Sequence, residues 1–521
     1  MRIDSLYIKA FKNLEQITIV FDQTELYTIL LGQNATGKSN LLEAIIQIFK
    51  YLDLERAHPN RKFDYDIKYE LRGNNIHVKN QNTKYEISLN GQIIKTKDFF
   101  ANKDIYLPKH VFTYYSGISD KLKDNFTEHL KRYYLTIIDP KAIILDITEI
   151  RRLFYAENIH SNFVLLAFYS FLEIEAQSKE FLNEILGIEG FHSAMFVLRK
   201  PVWSKLKNEN FNFWGATGIV KEFLDSLLDL SLAPISNSET VEVSYKSNEK
   251  QDRLYLYLSN KEKLQKLAKS WTGRIPFFNA LESTYISDLV EDIRVRVKKK
   301  NVKKDISYRE LSEGEQQLLA VLGLLKFTRD EESLILLDEP DTHLNPLWKW
   351  KYLEFLKKVV GNDDHKTQII LTTHDPLVIG SLERNQIRVF SSDKNGKTSV
   401  DIPDVDPIGL GVAGILTSEL FGLPSILDQP TLDKLNQKRI LQVKMKDSGL
   451  SDDEMITLKK LEEQLEELGF SRYQRDPLYQ KFIEATIRNP ELRKPPIDKI
   501  GREKQNKIMA ELLAEILKEE G

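Results

Sequence analysis

Leu30-Leu31-Gly32-Gln33-Asn34-Ala35-Thr36-Gly37-Lys38-Ser39 is the stretch that decides this chain, and it closes an apolar segment that begins at Leu26. A polyphosphate is held by backbone amides that point inward, and Gly32 and Gly37 permit the tight turn that aims them. Asn34 sits in that turn, Lys38 sets a cation against the outer phosphates, and Ser39 offers an oxygen to magnesium. Asn40-Leu41-Leu42-Glu43 then opens a helix whose positive N-terminal end faces the anion. A chance glycine turn would lack this setting, whereas here strand, loop and helix stand in the required order. Polyphosphate binding is the first expectation.

Ser333-Leu334-Ile335-Leu336-Leu337-Asp338-Glu339-Pro340 reads as a buried central strand that delivers two acids to its carboxyl end, where ligands of open α/β sheets bind. Asp338 would hold magnesium through water, and Glu339 would polarise the attacking water as general base. Gln368-Ile369-Ile370-Leu371-Thr372-Thr373-His374-Asp375 is a second such strand. A lone histidine at a strand end is commonly structural, but at this offset from paired acids His374 reads as a γ-phosphate sensor.

Leu311-Ser312-Glu313-Gly314-Glu315-Gln316 precedes the acidic strand and opens a helix through Gln317-Leu318-Leu319-Ala320. Alone it is an N-capping serine before a glutamate-rich first turn. Together with the other three segments it resembles the signature loop of the ABC ATPase superfamily, commonly LSGGQ. That resemblance implies ATP and Mg2+ as ligands and a homodimer, or higher homo-oligomer, with ATP sandwiched between copies. Ser312 and Gly314 of one copy would then contact the γ-phosphate held by the other. Pro340-Asp341-Thr342-His343-Leu344 matches the loop through which such dimers communicate, which adds Asp341. Lys12 and Asn13 stand where SMC-like and repair-type members carry a basic residue and an asparagine beside the nucleotide. Tyr114-Tyr115-Ser116-Gly117 falls where the Q-loop glutamine should be, a departure that bears on magnesium sensing and hydrolysis rate.

Composition agrees with an intracellular ATPase of two or three domains. The 521 residues are 41% hydrophobic, enough for more than one core, and 29% charged, enough for a wetted surface. Cysteine is absent, which removes disulfides, thiolate nucleophiles and cysteine-ligated metal sites and makes the cytosol the expected compartment. Met1-Arg2-Ile3-Asp4-Ser5-Leu6 shows no signal-peptide pattern. The longest apolar run, around Phe163 to Phe168, is far shorter than the ~18 residues of a membrane helix. An importer subunit, a third reading, would therefore need separate membrane partners.

With 74 basic and 77 acidic residues the net charge of −3 does not advertise nucleic acid, but local charge does. From Asp292 to Lys304 apolar and basic residues alternate, placing Arg294, Arg296 and Lys298 on one strand face. Phosphate-backbone contact and an edge strand guarded by lysines both fit. Phe211, Phe213 and Trp214 could stack bases or dock a partner, or simply form core.

Ile3 to Phe21 reads as a hairpin; Phe63 to Leu71 and Tyr85 to Leu89 alternate as antiparallel strands around an Asn90-Gly91 turn. Lys38 and Ser312 lie just over half the chain apart, so something is inserted. It shows helix-like stretches, Ser161 to Leu186 and Gly218 to Leu232, without heptads, so a compact helical lobe is expected instead of a coiled coil. Beyond a last strand near Val389-Phe390, Ser451-Asp452-Asp453-Glu454 is a capping box before a helix face of Leu458, Leu461, Leu465 and Leu468 that stops at Gly469. Pro490, Pro495 and Pro496 precede a final helix bearing Ile508, Leu512, Ile516 and Leu517.

The expected fold is thus α/β: an ABC-type P-loop ATPase head, with a mixed central sheet and an antiparallel β lobe, a helical insertion and a C-terminal helical module. The expected division is 1–119 (N-terminal lobe with the phosphate loop), 120–282 (insertion), 283–402 (signature, acidic strand, switch histidine) and 403–521 (partner docking). No histidine follows His374, so a histidine-dependent nuclease is not expected in the last module. With Leu416 to Pro424 leading into the helical tail, the whole resembles the PtuA-type ATPases of Septu and related retron antiphage systems. That resemblance implies an HNH endonuclease as partner, with cleavage belonging to the partner. The alternative is an SMC/RecF-like DNA-repair ATPase that grips DNA itself.

Overall fold

The amino terminus folds first onto itself. In the computed structural model β1 (Arg2–Phe11) and β2 (Leu14–Val20) form the hairpin the alternation predicts, with Lys12 at its turn in the left-handed region (φ 54°). The description covers residues 1–521 except 140–150, 172–180, 207–209, 245–246, 327–331, 361–366, 394–395, 469–476, 493–498 and 521. Met1–Leu31, Lys38–Ile379 and Asn385–Arg388 form one compact unit; Gly32–Gly37, Gly380–Arg384 and Val389–Gly521 form another.

Three sheets run through the first unit. β3 (Tyr27–Gly32) belongs to the central sheet, while β4 (Tyr65–Leu71), β5 (Asn74–Gln81), β6 (Lys84–Leu89) and β7 (Gln92–Ile94) extend the hairpin in the antiparallel order β2-β1-β4-β5-β6-β7. A bulge between Ile3 and Ser5 shifts the pairing with β4 by one residue, so Ile3 and Leu6 both reach the core. Asn90 and Gly91 both take positive φ, 51° and 83°, as a tight hairpin turn of this twist requires.

The central sheet places the chemistry. In the first unit β3, β16 (Thr367–Thr372), β15 (Ser333–Asp338), β8 (His110–Tyr115) and β9 (Leu153–Ala156) lie side by side and all parallel. Every residue of β15 and β16 is buried, which is why both read as unbroken apolar runs. The register sets Thr372 beside both Leu30 and Asp338, and Asp338 beside Tyr115. Three strand ends therefore meet at one place.

The insertion expected to be helical does hold helices, Thr127–Ile137, His160–Ser170, Gly218–Leu230, Lys261–Lys269 and Arg274–Ile286. It also holds three long strands that the expectation did not include. β10 (Ile188–Arg199), β11 (Ile235–Ser244) and β12 (Ser247–Leu258) join β13 (Val290–Lys299) and β14 (Ile306–Ser307) in an antiparallel sheet ordered β11-β12-β10-β13-β14. Their period was masked: in Leu254-Tyr255-Leu256-Tyr257-Leu258 the outward residues are as apolar as the buried leucines, and β11 is a polar outer strand. Of the expected helix from Ser161 to Leu186, His160–Ser170 is α-helical and Phe181–Ile185 forms a π-helical turn, while 172–180 lie outside the described residues.

Phe163 to Phe168 belongs to a helix buried along its whole length, so the run is core; among the described residues no helix is long and apolar enough to cross a membrane. Phe213 and Trp214 are core as well, and only Phe211 is exposed.

In the second unit Val389–Ser392 pairs antiparallel with Thr398–Asp401, one strand beyond the expected end of the sheet. Helices Gln429–Asp447, Asp452–Glu467, Pro477–Arg488 and Lys499–Glu520 follow. Ser451 and Glu454 make the reciprocal capping box, and Leu458 and Leu461 pack with Leu441. Leu465 and Ile516 are buried, but Leu468 and Leu517 are exposed. Gly469, Pro495 and Pro496 lie outside the described residues.

Phe196, fully buried on β10, meets Phe223 edge-on at 6.5 Å between ring centroids. Phe196→Ala should destabilise the first unit by about 3–5 kcal/mol. Calorimetry should show a clear fall in its melting temperature; an unchanged melt would mean that this sheet does not pack on that helix.

Candidate active site

The phosphate loop shows why its residues are what they are. Gly32 has φ 142°, and a Cβ there would lie 2.3 Å from the Phe390 carbonyl oxygen, so only glycine fits. Ala35 and Gly37 also take positive φ, 64° and 106°, and the Thr36 hydroxyl donates to the Gln33 carbonyl at 2.8 Å. Gln33 and Asn34 are exposed in this turn. Lys38 and Ser39 begin the helix Lys38–Asp53. Lys38 is buried, and loss of solvation brings its ammonium down to about 8 against the opposing pull of Glu339 and Asp338.

Asp338 is almost fully buried at the end of β15. Its Oδ1 accepts a hydrogen bond from Thr372 at 2.6 Å, while Oδ2 has no hydrogen-bond partner of normal geometry. Burial raises its carboxyl above the usual range, and Thr372 and the Ser39 hydroxyl work against that rise. A buried carboxylate with an unfilled oxygen, close to a serine hydroxyl, is what a hard divalent cation would complete, so these residues fit Mg2+. Glu339 takes φ 52°, a conformation a glutamate rarely adopts. Its N–H donates to Thr372 Oγ1 at 2.9 Å and its carboxylate lies 3.2 Å from His374 Nε2. The bond to His374 holds the Glu339 carboxyl below its usual range.

Around this pair the remaining residues fall into two groups. Asn40 Nδ2 donates to Asn13 Oδ1 at 2.6 Å, Lys12 pairs with Glu43, and Lys121 donates to Asn40 Oδ1 at 2.6 Å, which ties the hairpin turn to the helix after the phosphate loop. Ser312 caps its helix in a reciprocal box with Glu315. A Cβ on Gly314 would sit 2.6 Å from the His343 carbonyl oxygen, so glycine lets this helix start abut the loop after β15. His343 completes the contact, with Nδ1 3.1 Å from Glu313 and its N–H donating to Gln317 Oε1 at 3.4 Å. Asp341, in the same loop, accepts from Thr373 Oγ1 at 2.8 Å, and burial brings its carboxyl up to about 6.

Residues 27–380 match the family described as "AAA domain, putative AbiEii toxin, Type IV TA system". The chain belongs to that family. It is similar to the "Retron Ec83 probable ATPase" of Escherichia coli, 24% identical over 83% of this chain and 78% of that one. It is 30% identical to "Septu protein PtuA" of Bacillus mycoides over 24% of this chain and 18% of that one. "DNA replication and repair protein RecF" of Oceanobacillus iheyensis is 32% identical over 19% of this chain and 26% of that one.

In this AAA-family chain Ser116, within Tyr114-Tyr115-Ser116-Gly117, directly follows β8 and reaches the loop after β15. Its N–H donates to the Asp338 carbonyl at 3.3 Å, its hydroxyl lies 3.1 Å from Thr342 Oγ1, and Thr342 donates to the Glu339 carbonyl at 2.9 Å. Tyr115, Ser116, Glu313, Gln317 and His343 line a polar cavity of about 510 Å³. Ser116, Thr342, Thr372, Glu43 and Lys121 were not assigned roles by sequence reasoning, although all but Lys121 lie inside the motif stretches quoted above. Arg294, Arg296 and Lys298 do share one exposed face of β13. Arg294, however, pairs with Asp292 at 2.8 Å, which Arg309 also holds at 2.9 Å. The backbone of β13 pairs with β10 along its length and with β14 at Arg296 and Val297.

Asp341 carries a pH prediction. Its carboxyl binds a proton more tightly folded than unfolded, so its contribution to stability falls as pH rises from about 4 through 6. Asp341→Asn should keep the Thr373 bond and raise the melting temperature at pH 7.5 while leaving it unchanged near pH 4. A variant destabilised equally at both values would contradict the burial argument.

Proposed function

We propose that the chain is an ATP-dependent switch that binds Mg-ATP, dimerises around two nucleotides and controls an associated nuclease in antiviral defence. The observation that carries it is the buried Asp338, with one carboxylate oxygen unfilled, between Lys38, Ser39 and a Glu339 already aligned by His374. Lys38 would neutralise the outer phosphates, Gly32, Asn34 and Gly37 would shape their loop, and Lys12, Asn13 and Asn40 would line the nucleotide beside them. Magnesium, held by Ser39 and Asp338, would draw charge from the phosphates. Glu339 accepts the proton of the attacking water, and His374 holds that carboxylate toward the γ-phosphate. Ser312 and Gly314, at a helix N-terminus, would close the site of a second copy, with Asp341 linking the two.

The names of the retron and Septu relatives support the defence setting, and the helices after Gly411 are the surface we assign to a partner nuclease of the HNH type. Lys38→Ala should abolish ATP binding. Glu339→Gln should keep binding, slow hydrolysis by roughly 10²–10⁴-fold and accumulate a dimer in light scattering. Hydrolysis by Glu339→Gln at the native rate would remove Glu339 from its role. Purification of the chain from its host, with and without ATP, should retain a small nuclease; recovery of the chain alone would sink the effector assignment.

The RecF similarity and the exposed Arg296 and Lys298 favour a second reading, direct DNA binding. If both residues contact phosphate, Arg296→Ala with Lys298→Ala should weaken binding and reduce the salt slope by about 2. Equal affinity in filter binding across salt concentrations would exclude it.

A further inference from the structure

Thr372, the last residue of β16, and Thr373 just after it are both fully buried, and their hydroxyls serve different acids. Thr373 Oγ1 donates to Asp341 Oδ2 and accepts the Asp375 N–H at 3.0 Å. Thr372 Oγ1 lies 2.6 Å from Asp338 Oδ1 and 2.9 Å from the Glu339 nitrogen. A hydroxyl has one proton and two lone pairs, so it donates to the carboxylate and accepts from the amide. One atom therefore holds the side chain of the first acid and the backbone of the second. The parallel register that sets Thr372 opposite Asp338 makes this reach possible.

We propose that Thr372 is a positioning residue for hydrolysis. By occupying Asp338 Oδ1 it leaves Oδ2 as the oxygen offered to a divalent cation. By anchoring the Glu339 amide it keeps that residue in its left-handed conformation, from which the carboxylate reaches His374. The strand that carries the γ-phosphate sensor thus also fixes the metal ligand and the base. This rests on the ATPase reading above.

The test uses the full chain and a readout other than turnover: Mn2+ binding in the presence of ATP, followed by electron paramagnetic resonance. Thr372→Val keeps the shape and removes the hydroxyl. It should weaken Mn2+ binding by about 10–100-fold and lower kcat comparably, while ATP affinity without metal stays within about twofold. Thr372→Ser should recover both. Thr373→Val, an equally buried loss beside Asp341, should leave Mn2+ affinity unchanged. Native Mn2+ affinity and kcat in Thr372→Val would overturn the proposal, as would a serine variant as impaired as the valine one, or equal Mn2+ losses at both threonines. If Thr372→Val does not fold, Thr372→Cys, with a weaker donor, takes its place, and native Mn2+ affinity there also overturns it. A native chain that binds neither ATP nor Mn2+ would instead sink the ATPase reading.

Discussion

A carboxylate buried at the end of a buried strand is the constraint on which this site turns. Asp338 is taken out of water by five parallel strands, and an isolated charge in that position is expensive unless something compensates it. Lys38 and the hydroxyls of Ser39 and Thr372 compensate part of it and leave one oxygen unsatisfied. The residues that make the compensation come from three distant parts of the chain. They meet because β3, β15 and β16 run parallel in one register, so their carboxyl ends coincide. Sheet topology, in this protein, is the means by which a costly charge acquires its partners.

The same parallel arrangement explains how the loop after β15 serves two masters. Asp341 looks back to Thr373 just after β16, while His343 two residues on abuts Gly314 at the start of the helix Glu313–Leu325. This short loop is thus gripped at both ends, by Thr373 after β16 and by the start of the helix Glu313–Leu325. Asp341 is the costly point of that loop, because burial brings its carboxyl up to about 6 and the ionised form is held against that penalty by Thr373.

Much of this was legible because the chemistry is local in sequence. Gly32, Lys38 and Ser39 lie within one turn, Asp338 and Glu339 are adjacent, and the Ser312 and Ser451 capping boxes each close over three residues; such signals survive without knowledge of the fold. What was illegible depends on pairing across long separations. Ser116 meets Thr342, and Lys121 meets Asn40, only because strands and helices bring them together. The strands β10 to β12 were hidden by a further cause: tyrosines on the outward face of β12 erase the alternation that would mark a strand. The basic row on β13 was legible as a pattern, and Asp292, two residues before Arg294, was legible with it; what the sequence hid is Arg309, which reaches the same carboxylate from outside the strand.

Asp292 also shows how the inserted sheet is joined to the ATPase frame. It receives Arg294 from its own strand and Arg309 from just before the signature helix, while Lys299 at the other end of β13 pairs with Glu315 inside the signature cap. Deeper in, Arg151 grips Glu282 through two bonds of 2.7 and 2.8 Å, and this guanidinium with His160 holds the carboxyl down to about 2 although burial alone would raise it. Breaking such a buried pair from one side leaves an uncompensated charge and costs about 3–5 kcal/mol, whereas the exposed pairs of β13 contribute little to stability. The rigid part of the junction is therefore the buried Arg151–Glu282 pair. β13 itself is held to β10 along its length and buries Val290, Ile293, Val295 and Val297, so its exposed ion pairs decorate a strand that the sheet already fixes.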